Sequence, residues 1–178
     1  MCYRMLLLAA LVIGLPAQAE EPFGPPGEVQ PEADAKAATK AEPELEKVVY
    51  HADFADPRRF SAMLTSINNM VTVYQGDLRD YDVRIVFVAH GIRFVTDDKL
   101  AKTPFAEDAA LKARRAELRQ RLTALQELHG VKLELCDITR ESVQLAPSKL
   151  MKDVALVPSG VVRLAELQRQ GFAYLKIE

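Results

Sequence analysis

The sequence predicts an α/β fold in which helices cover both faces of a mainly parallel five-stranded sheet, a three-layer sandwich. Two patterns carry this prediction. Short runs of branched apolar residues alternate with helical patterns between residues 47 and 178, and this alternation is typical of βαβ units. The most continuous run, Val83–Ala89, is apolar on both faces, as a covered central strand would be. We therefore expect a flavodoxin-like sandwich or a close variant.

The first strand and helix are predicted from composition and capping signals. Lys47–His51 is short and rich in branched apolar residues, which favours a strand. Asp56 followed by Pro57 is typical of a helix N-cap and first helical position. Apolar residues then recur at steps of three and four until Gly76, which ends the predicted helix. That stripe comprises Phe60, Met63, Leu64, Ile67, Met70, Val71 and Tyr74.

The middle of the domain is predicted to contain a strand, an irregular segment and a long helix. His90-Gly91 ends the strand Val83–Ala89, and residues 92–108 are predicted to be an irregular loop with room for one short helix. Ala109–His129 has a leucine stripe and a charged opposite side, and Gly130 suits its C-cap. The stripe consists of Leu111, Leu118, Leu122, Leu125 and His129.

The third predicted strand, Val131–Cys136, shows strict alternation. Its apolar residues share one face, so Cys136 falls on the other face with Lys132 and Glu134. A short helix over residues 139–143, a turn at 147–148, a strand over 154–157, a helix over 161–170 stopped by Gly171, and a strand over 173–177 complete the prediction.

The N-terminal part of the chain predicts export. Arg4, the apolar run Met5–Leu15 and the small residues of Pro16–Ala19 form the pattern of a cleaved signal peptide over residues 1–19. The apolar run is too short for a stop-transfer helix, so we expect a periplasmic protein without a membrane span in its mature form. Residues 20–46 are rich in Pro, Ala and Glu and are predicted to be a disordered linker before the domain at 47–178.

Charge and cysteine content narrow the function classes. The formal net charge is −2, so nothing indicates nucleic-acid binding. The chain holds two cysteines, Cys2 and Cys136, and only Cys136 would remain after signal cleavage, so no intramolecular disulfide is expected. His-x-x-His and Cys-x-x-Cys spacings are absent, and we expect neither a metal nor a cofactor.

Four polar residues are predicted at carboxyl ends of strands, where open parallel sheets bind ligands. They are His51, His90, Cys136 and Ser159. With a strand order of 2-1-3-4-5, His51 would lie between His90 and Cys136 on neighbouring strands, and the four would form one candidate rim.

Each candidate has two interpretations at this point. Cys136 is either a thiolate that attacks or carries sulfur, with its sulfur accessible at the rim, or a small buried hydrophobe. His51 and His90 are either general bases or ligands, or they cap loop carbonyls. Ser159, in Pro158-Ser159-Gly160, could cradle a phosphate, but the turn lacks the glycines of a nucleotide loop and N-capping is favoured.

Several short motifs, in their joint order, resemble the DsrE/DsrF-like family over residues 46–178. They are the strand end His90-Gly91, the strand Val131–Cys136, the turn Val157–Val161 and the segment Gln168–Tyr174. The resemblance implies a small α/β sandwich that assembles as a trimer or hexamer. The best understood members relay sulfur through a persulfide on a cysteine just after the third strand, with partner proteins as donor or acceptor, and Cys136 is the matching position.

These inferences combine into one leading hypothesis and one alternative. The leading hypothesis is a periplasmic protein that binds or carries sulfur as a persulfide on Cys136, with His51 or His90 tuning the thiol. The alternative is a non-catalytic oligomeric binding or assembly module in which Cys136 is structural.

Overall fold

The computed structural model describes residues 45–178. The predicted signal peptide and all but the last residues of the predicted linker lie outside the described residues. The described part contains one sheet of five parallel strands with helices on both faces, so the predicted fold class is confirmed. The strands are β1 (Glu46–Ala52), β2 (Tyr81–Phe87), β3 (Lys132–Cys136), β4 (Val154–Val157) and β5 (Ala173–Leu175).

The order of the strands is β4-β3-β2-β1-β5, so the hypothesised order 2-1-3-4-5 is wrong. The chain steps in one direction from β1 to β4 and then returns across the sheet to place β5 beside β1. As a result β2 lies at the centre, between β1 and β3, which agrees with its apolar residues on both faces. The crossover direction depends on long-range packing, which the local pattern of each strand does not encode.

The helices agree closely with the prediction. They are α1 (Pro57–Gly76), α2 (Ala109–His129), α3 (Asp137–Ser142) and α4 (Gly160–Arg169), with 3-10 helices at Ala89–Phe94 and Pro147–Lys149. Asp56 caps α1 by accepting from the Arg58 amide at 2.8 Å, and Gly130 ends α2 in the left-handed conformation at φ 65°. Since α3 follows Cys136 directly, it begins two residues before the predicted helix over residues 139–143. β5 is shorter than predicted and ends at Leu175.

The larger core lies between the sheet and the pair α1 and α2. Phe60 of α1 is fully buried there, and its ring stacks on that of Phe94 with centroids 4.0 Å apart. The apolar stripes of both helices are buried against β1, β2 and β3, as the three-to-four spacing predicts.

The opposite face of the sheet has a smaller core under α4. It comprises Val49, Val86, Leu164, Leu167 and Phe172. In-register pairing places His51, Val86 and Glu134 in one row across this face. Cys136 pairs with Val157 in the next row, at the carboxyl end of the sheet. The candidate thiol therefore belongs to the face that α4 covers.

None of the helices between residues 45 and 178 has the length and apolar character needed to cross a lipid bilayer. Within the same residues, His, Cys, Asp and Glu side chains do not gather in groups of three or more that could hold a metal ion.

Candidate functional site

Cys136 is the last residue of β3, and its side chain points beneath the first turn of α4. Its residue is only 4% exposed, so the expectation of a sulfur open to solvent at the rim is wrong. The alternation of β3 correctly separated Cys136 from the leucines, but both faces of this strand are covered. Burial here comes from α4, which arrives from a distant part of the chain.

Backbone and side-chain donors surround the sulfur of Cys136. The amides of Ile138 and Thr139 at the start of α3, the amide of Gly160 at the start of α4, and the Thr139 hydroxyl lie near enough to the sulfur to stabilise its charged form. Burial by itself raises the pKa of the Cys136 thiol, but these donors outweigh burial and bring the pKa below its ordinary value. The site therefore makes ionisation of the Cys136 thiol easier than in an ordinary cysteine.

Thr139 connects this site to the end of β2. Its hydroxyl accepts a hydrogen bond from the Ala89 amide at 3.1 Å, and that bond leaves the hydroxyl proton free for the sulfur of Cys136. Thr139 is 7% exposed and Ala89 is half-buried, so this hydrogen bond is partly shielded from water. The orientation of the hydroxyl is therefore fixed by the fold.

Gly160 allows α4 to approach Cys136 closely. A β-carbon at Gly160 would lie 3.0 Å from Cβ of Cys136 and 2.6 Å from Cγ2 of Val88. Any larger residue would push the first turn of α4 away, and with it the amide that faces the sulfur. The glycine is needed here for the approach of the helix rather than for an unusual φ.

Asp137, which follows Cys136 directly, is neutralised locally. Its carboxylate accepts from Arg140 Nε at 2.5 Å within α3. Arg140 also donates to the Leu145 carbonyl at 2.9 Å, which holds the guanidinium in place. The charge of Asp137 is therefore directed to Arg140 and opposes the thiolate less than an unpaired carboxylate would.

A groove of about 280 Å³ runs along α4 beside the site. Its lining includes Val157, the register partner of Cys136, and Ser159. Ser159 Oγ accepts from the Val162 amide at 3.4 Å, so the N-capping interpretation of Ser159 is confirmed. Cys136 itself does not line the groove and lies behind its wall.

His51 lies away from Cys136, on the far side of β2. Its Nδ1 is 2.9 Å from the Tyr174 hydroxyl of β5, and its Nε2 is buried 3.9 Å from Oδ2 of Asp53. Desolvation lowers the pKa of His51, only partly offset by Asp53. The expectation that the strands of His51 and Cys136 are neighbours is wrong, because β2 lies between β1 and β3.

His90 follows the end of β2 in the first 3-10 helix. Its ring packs edge-on against Phe105, with ring centroids 5.1 Å apart. Among residues 45–178, neither imidazole is hydrogen-bonded to the thiol, and neither caps a loop carbonyl. The four predicted residues lie at or just beyond the carboxyl ends of the adjacent strands β1, β2, β3 and β4, in a different order from the one expected. The groups closest to Cys136 come from α3 and α4.

A charged network that was not among the predicted site residues lies next to the thiol. Glu134, two residues before Cys136 on the same face, is buried between Arg84 of β2 and Arg163 of α4. Arg84 in turn binds Asp82. The available signal was the alternation of charges on one face, Asp82 and Arg84 in one strand and Lys132 and Glu134 in the next.

A model of the DsrE/DsrF-like family matches residues 35–177 of this chain. The chain belongs to the DsrE/DsrF-like family. Two solved structures are similar to this DsrE/DsrF-like protein. "Structure of Protein of Unknown Function MTH1491 from Methanobacterium thermoautotrophicum" has 21% identity and a TM-score of 0.55, and the match covers 74% of this chain and 98% of that one.

The second similar structure is the ychN protein from E. coli, with 16% identity and a TM-score of 0.49 over 74% of this chain and 99% of the other. The similarity to the first structure supports the α/β fold of this DsrE/DsrF-like protein and nothing finer. No curated protein matches the sequence.

Proposed function

We propose that this DsrE/DsrF-like protein is a periplasmic sulfur carrier that holds sulfane sulfur as a persulfide on Cys136. The observation that carries the proposal is the position of Cys136 between the start of α3 and the closely packed Gly160 at the start of α4, where polar groups lower the pKa of its thiol. The thiolate is the nucleophile in sulfur transfer, and a persulfide anion would benefit from the same donors. Cys136 is also the position that corresponds to the family's persulfide cysteine.

The loading step needs a donor that already contains sulfane sulfur. The Cys136 thiolate attacks the outer sulfur of thiosulfate, a sulfur–sulfur bond forms, and the original sulfur–sulfur bond breaks to release sulfite. The bonding electron pair leaves with sulfite, and the charge stays balanced with no external oxidant. Hydrosulfide alone cannot load the thiol, because its sulfur is already fully reduced and an oxidant would be required.

The buried position of Cys136 favours small donors or a local opening of α4. The groove along Val157, Ser159 and Val162 is lined by the register partner of Cys136 and is where a donor could approach this part of the sheet. A docking protein that delivers or accepts sulfur would have to displace the first turn of α4 or reach in with a flexible segment. Lids and loops that open on the μs–ms timescale are common at such sites.

Intact mass measurement tests the proposal directly. The folded protein is incubated anaerobically with thiosulfate or a small organic persulfide, and its mass is compared with that of the Cys136→Ser variant. We expect a gain of one sulfur atom on the wild type only, reversed by a dithiol reductant. A hydrosulfide-only incubation serves as the negative control. No gain, or an equal gain on Cys136→Ser, would rule out carriage on Cys136.

One observation favours the alternative, a non-catalytic binding or assembly module. Cys136 is 4% exposed, and a small buried hydrophobe would show the same burial. In that case the thiol would resist small donors until the protein unfolds, and Cys136→Ala would leave partner binding intact. The polar groups near the sulfur argue against this alternative, because a purely apolar packing role does not require them.

A homo-oligomer, either a trimer or a hexamer, is part of the proposal. Support comes from exposed apolar side chains close to the groove, namely Leu156, Val161 and Val162. Clustered exposed apolar residues of this kind are typical of interaction surfaces. Light scattering coupled to gel filtration should show a mass above that of one chain, and Val162→Glu should reduce it. A monomer at micromolar concentration would contradict the proposed homo-oligomer.

Periplasmic location is also proposed, from the predicted signal peptide over residues 1–19. The expected mature protein begins near Glu20. Mass measurement of the protein recovered from a periplasmic fraction should give that start. An intact Met1 start in the cytoplasmic fraction would contradict export.

A further inference from the structure

The carboxylate of Glu134 forms a two-point ion pair with Arg163. Arg163 Nε donates to Glu134 Oε2 at 2.6 Å, and Arg163 Nη2 donates to Glu134 Oε1 at 3.0 Å. The Glu134 side chain is only 6% exposed and that of Arg163 is 22% exposed. Paired, parallel hydrogen bonds of this kind fix the angle between two groups as well as their distance.

The position of Glu134 is fixed from a second side. Arg84 Nη1 donates to Glu134 Oε1 at 2.8 Å, while the other edge of Arg84 is bound to Asp82. Burial would raise the pKa of Glu134, but the two guanidinium groups hold that pKa below its usual value. Both guanidinium groups therefore favour the charged form of Glu134, which anchors β3 to β2 and α4.

The anchored helix turn is the one that faces the thiol. Arg163 and Gly160 both lie in the first turn of α4, where the Arg163 amide bonds back to the Ser159 carbonyl at 2.9 Å. On β3, Glu134 and Cys136 are two residues apart and face the same side. The ion pair thus joins the same two elements as the packing of Gly160 against Cys136, where a β-carbon on Gly160 would lie 3.0 Å from Cβ of Cys136.

We infer that the Glu134–Arg163 ion pair is a positioning device that fixes the first turn of α4 on β3 and so keeps the Gly160 amide directed at the sulfur of Cys136. Glu134 and Arg163 act through Gly160 and do not themselves take part in sulfur transfer. The inference deepens the proposed function and rests on it for its biological role. The position of Gly160 relative to Cys136 can nevertheless be tested through the thiol pKa alone.

A different account would assign the effect to charge alone. Removing the cation of Arg163 would then make the thiolate less favourable, whereas removing the anion of Glu134 would make it more favourable. The positioning account instead predicts the same direction for both changes, because either one frees the helix turn. The two accounts therefore differ in sign for Glu134→Gln.

The experiment is a titration of the Cys136 thiolate by its ultraviolet absorbance. Because the chain contains Cys2 as well as Cys136, the Cys136→Ser chain prepared in parallel provides the blank. We expect Glu134→Gln and Arg163→Lys each to raise the thiol pKa by about half a unit, in line with the loss of one helix-terminus contact. Arg163→Lys keeps the charge but loses the two-point geometry.

Glu117→Gln is the matched control. Glu117 on α2 also lies between two arginines, Arg114 and Arg121, but it is on the opposite side of the sheet from Cys136. The same chemical change there should leave the thiol pKa unchanged. A shift in Glu117→Gln equal to that in Glu134→Gln would overturn the inference, because it would report general loosening of the protein.

Two other results would also overturn the inference. One is a lower thiol pKa in Glu134→Gln with no change in Arg163→Lys, which charge alone predicts. The other is a wild-type pKa in both variants. Circular dichroism confirms that each variant is folded, and if Glu134→Gln unfolds, Arg163→Lys decides the question alone. Failure of sulfur loading with these pKa shifts intact would reject the proposed function and leave the positioning role standing.

Discussion

Gly160 and Cys136 approach each other so closely that a β-carbon on Gly160 would lie 3.0 Å from Cβ of Cys136. This contact allows the amide at the start of α4 to face a sulfur at the end of β3. Two elements separated by more than twenty residues are thereby joined at the one thiol of the described domain. The properties of that thiol consequently depend on the packing of α4.

Gly160→Ala should destabilise the protein by about 1–3 kcal/mol, the usual range for overpacking. The added methyl group would meet Val88 Cγ2 at 2.6 Å and displace the first turn of α4, so the thiol pKa should rise as well. Urea unfolding and thiolate titration measure the two effects. The control is Gly76→Ala, whose β-carbon would meet nothing within 4 Å; it should be neutral or stabilising by up to about 1 kcal/mol. Equal behaviour of the two variants would refute the contact.

Thr139→Val should raise the thiol pKa and cost about 1 kcal/mol, because the half-buried Ala89 amide loses its acceptor. Thr139→Ser keeps the hydroxyl and should retain the wild-type thiol pKa, with a loss of about 1 kcal/mol for the missing methyl group. The thiolate titration distinguishes the hydroxyl from the methyl group. A wild-type thiol pKa in Thr139→Val would show that the Thr139 hydroxyl does not stabilise the Cys136 thiolate.

The stability of the protein should fall as the pH drops below the ordinary histidine pKa of about 6.5. The pKa of His51 is lowered in the fold by desolvation, so the unfolded chain binds a proton first and gains free energy from it. The groups that face His51 are Asp53, which opposes this shift, Lys176 and Arg59, which add to it, and the Tyr174 hydroxyl on Nδ1.

Urea unfolding between pH 5 and pH 8, a range of about 1.5 units on either side of that pKa, measures this effect. His51→Gln should remove the part of the pH dependence that His51 causes, while His129→Gln, at the far end of α2, should keep it. Identical pH profiles for wild type and His51→Gln would show that the imidazole is not desolvated as described.

Local sequence signals were sufficient for most of the elements. Asp56, Asp108 and Ser159 each accept from an amide at the start of a helix, and each has the residue type that favours an N-cap. Period-two alternation in residues 131–136 separated the two faces of β3 correctly. These features depend on a few neighbouring residues, which a sequence displays directly.

The candidate site was only partly predictable, because its geometry is set by long-range packing. Cys136 was identified as the thiol of interest, but its burial depends on α4, and the return of α4 across the sheet could not be inferred from any single element. The separation of His51 from Cys136 follows from the same strand order. The Glu134 network was visible only as alternating charges, which are equally typical of an exposed face.

The most direct test of the account is the pH dependence of alkylation of Cys136 in the folded protein, with the modified cysteine located by peptide mass. The account predicts that a small reagent modifies Cys136 without unfolding, with a midpoint below the ordinary thiol pKa of about 8.5. Modification only at the rate of global unfolding would contradict it and would leave Cys136 as a structural residue of the sheet.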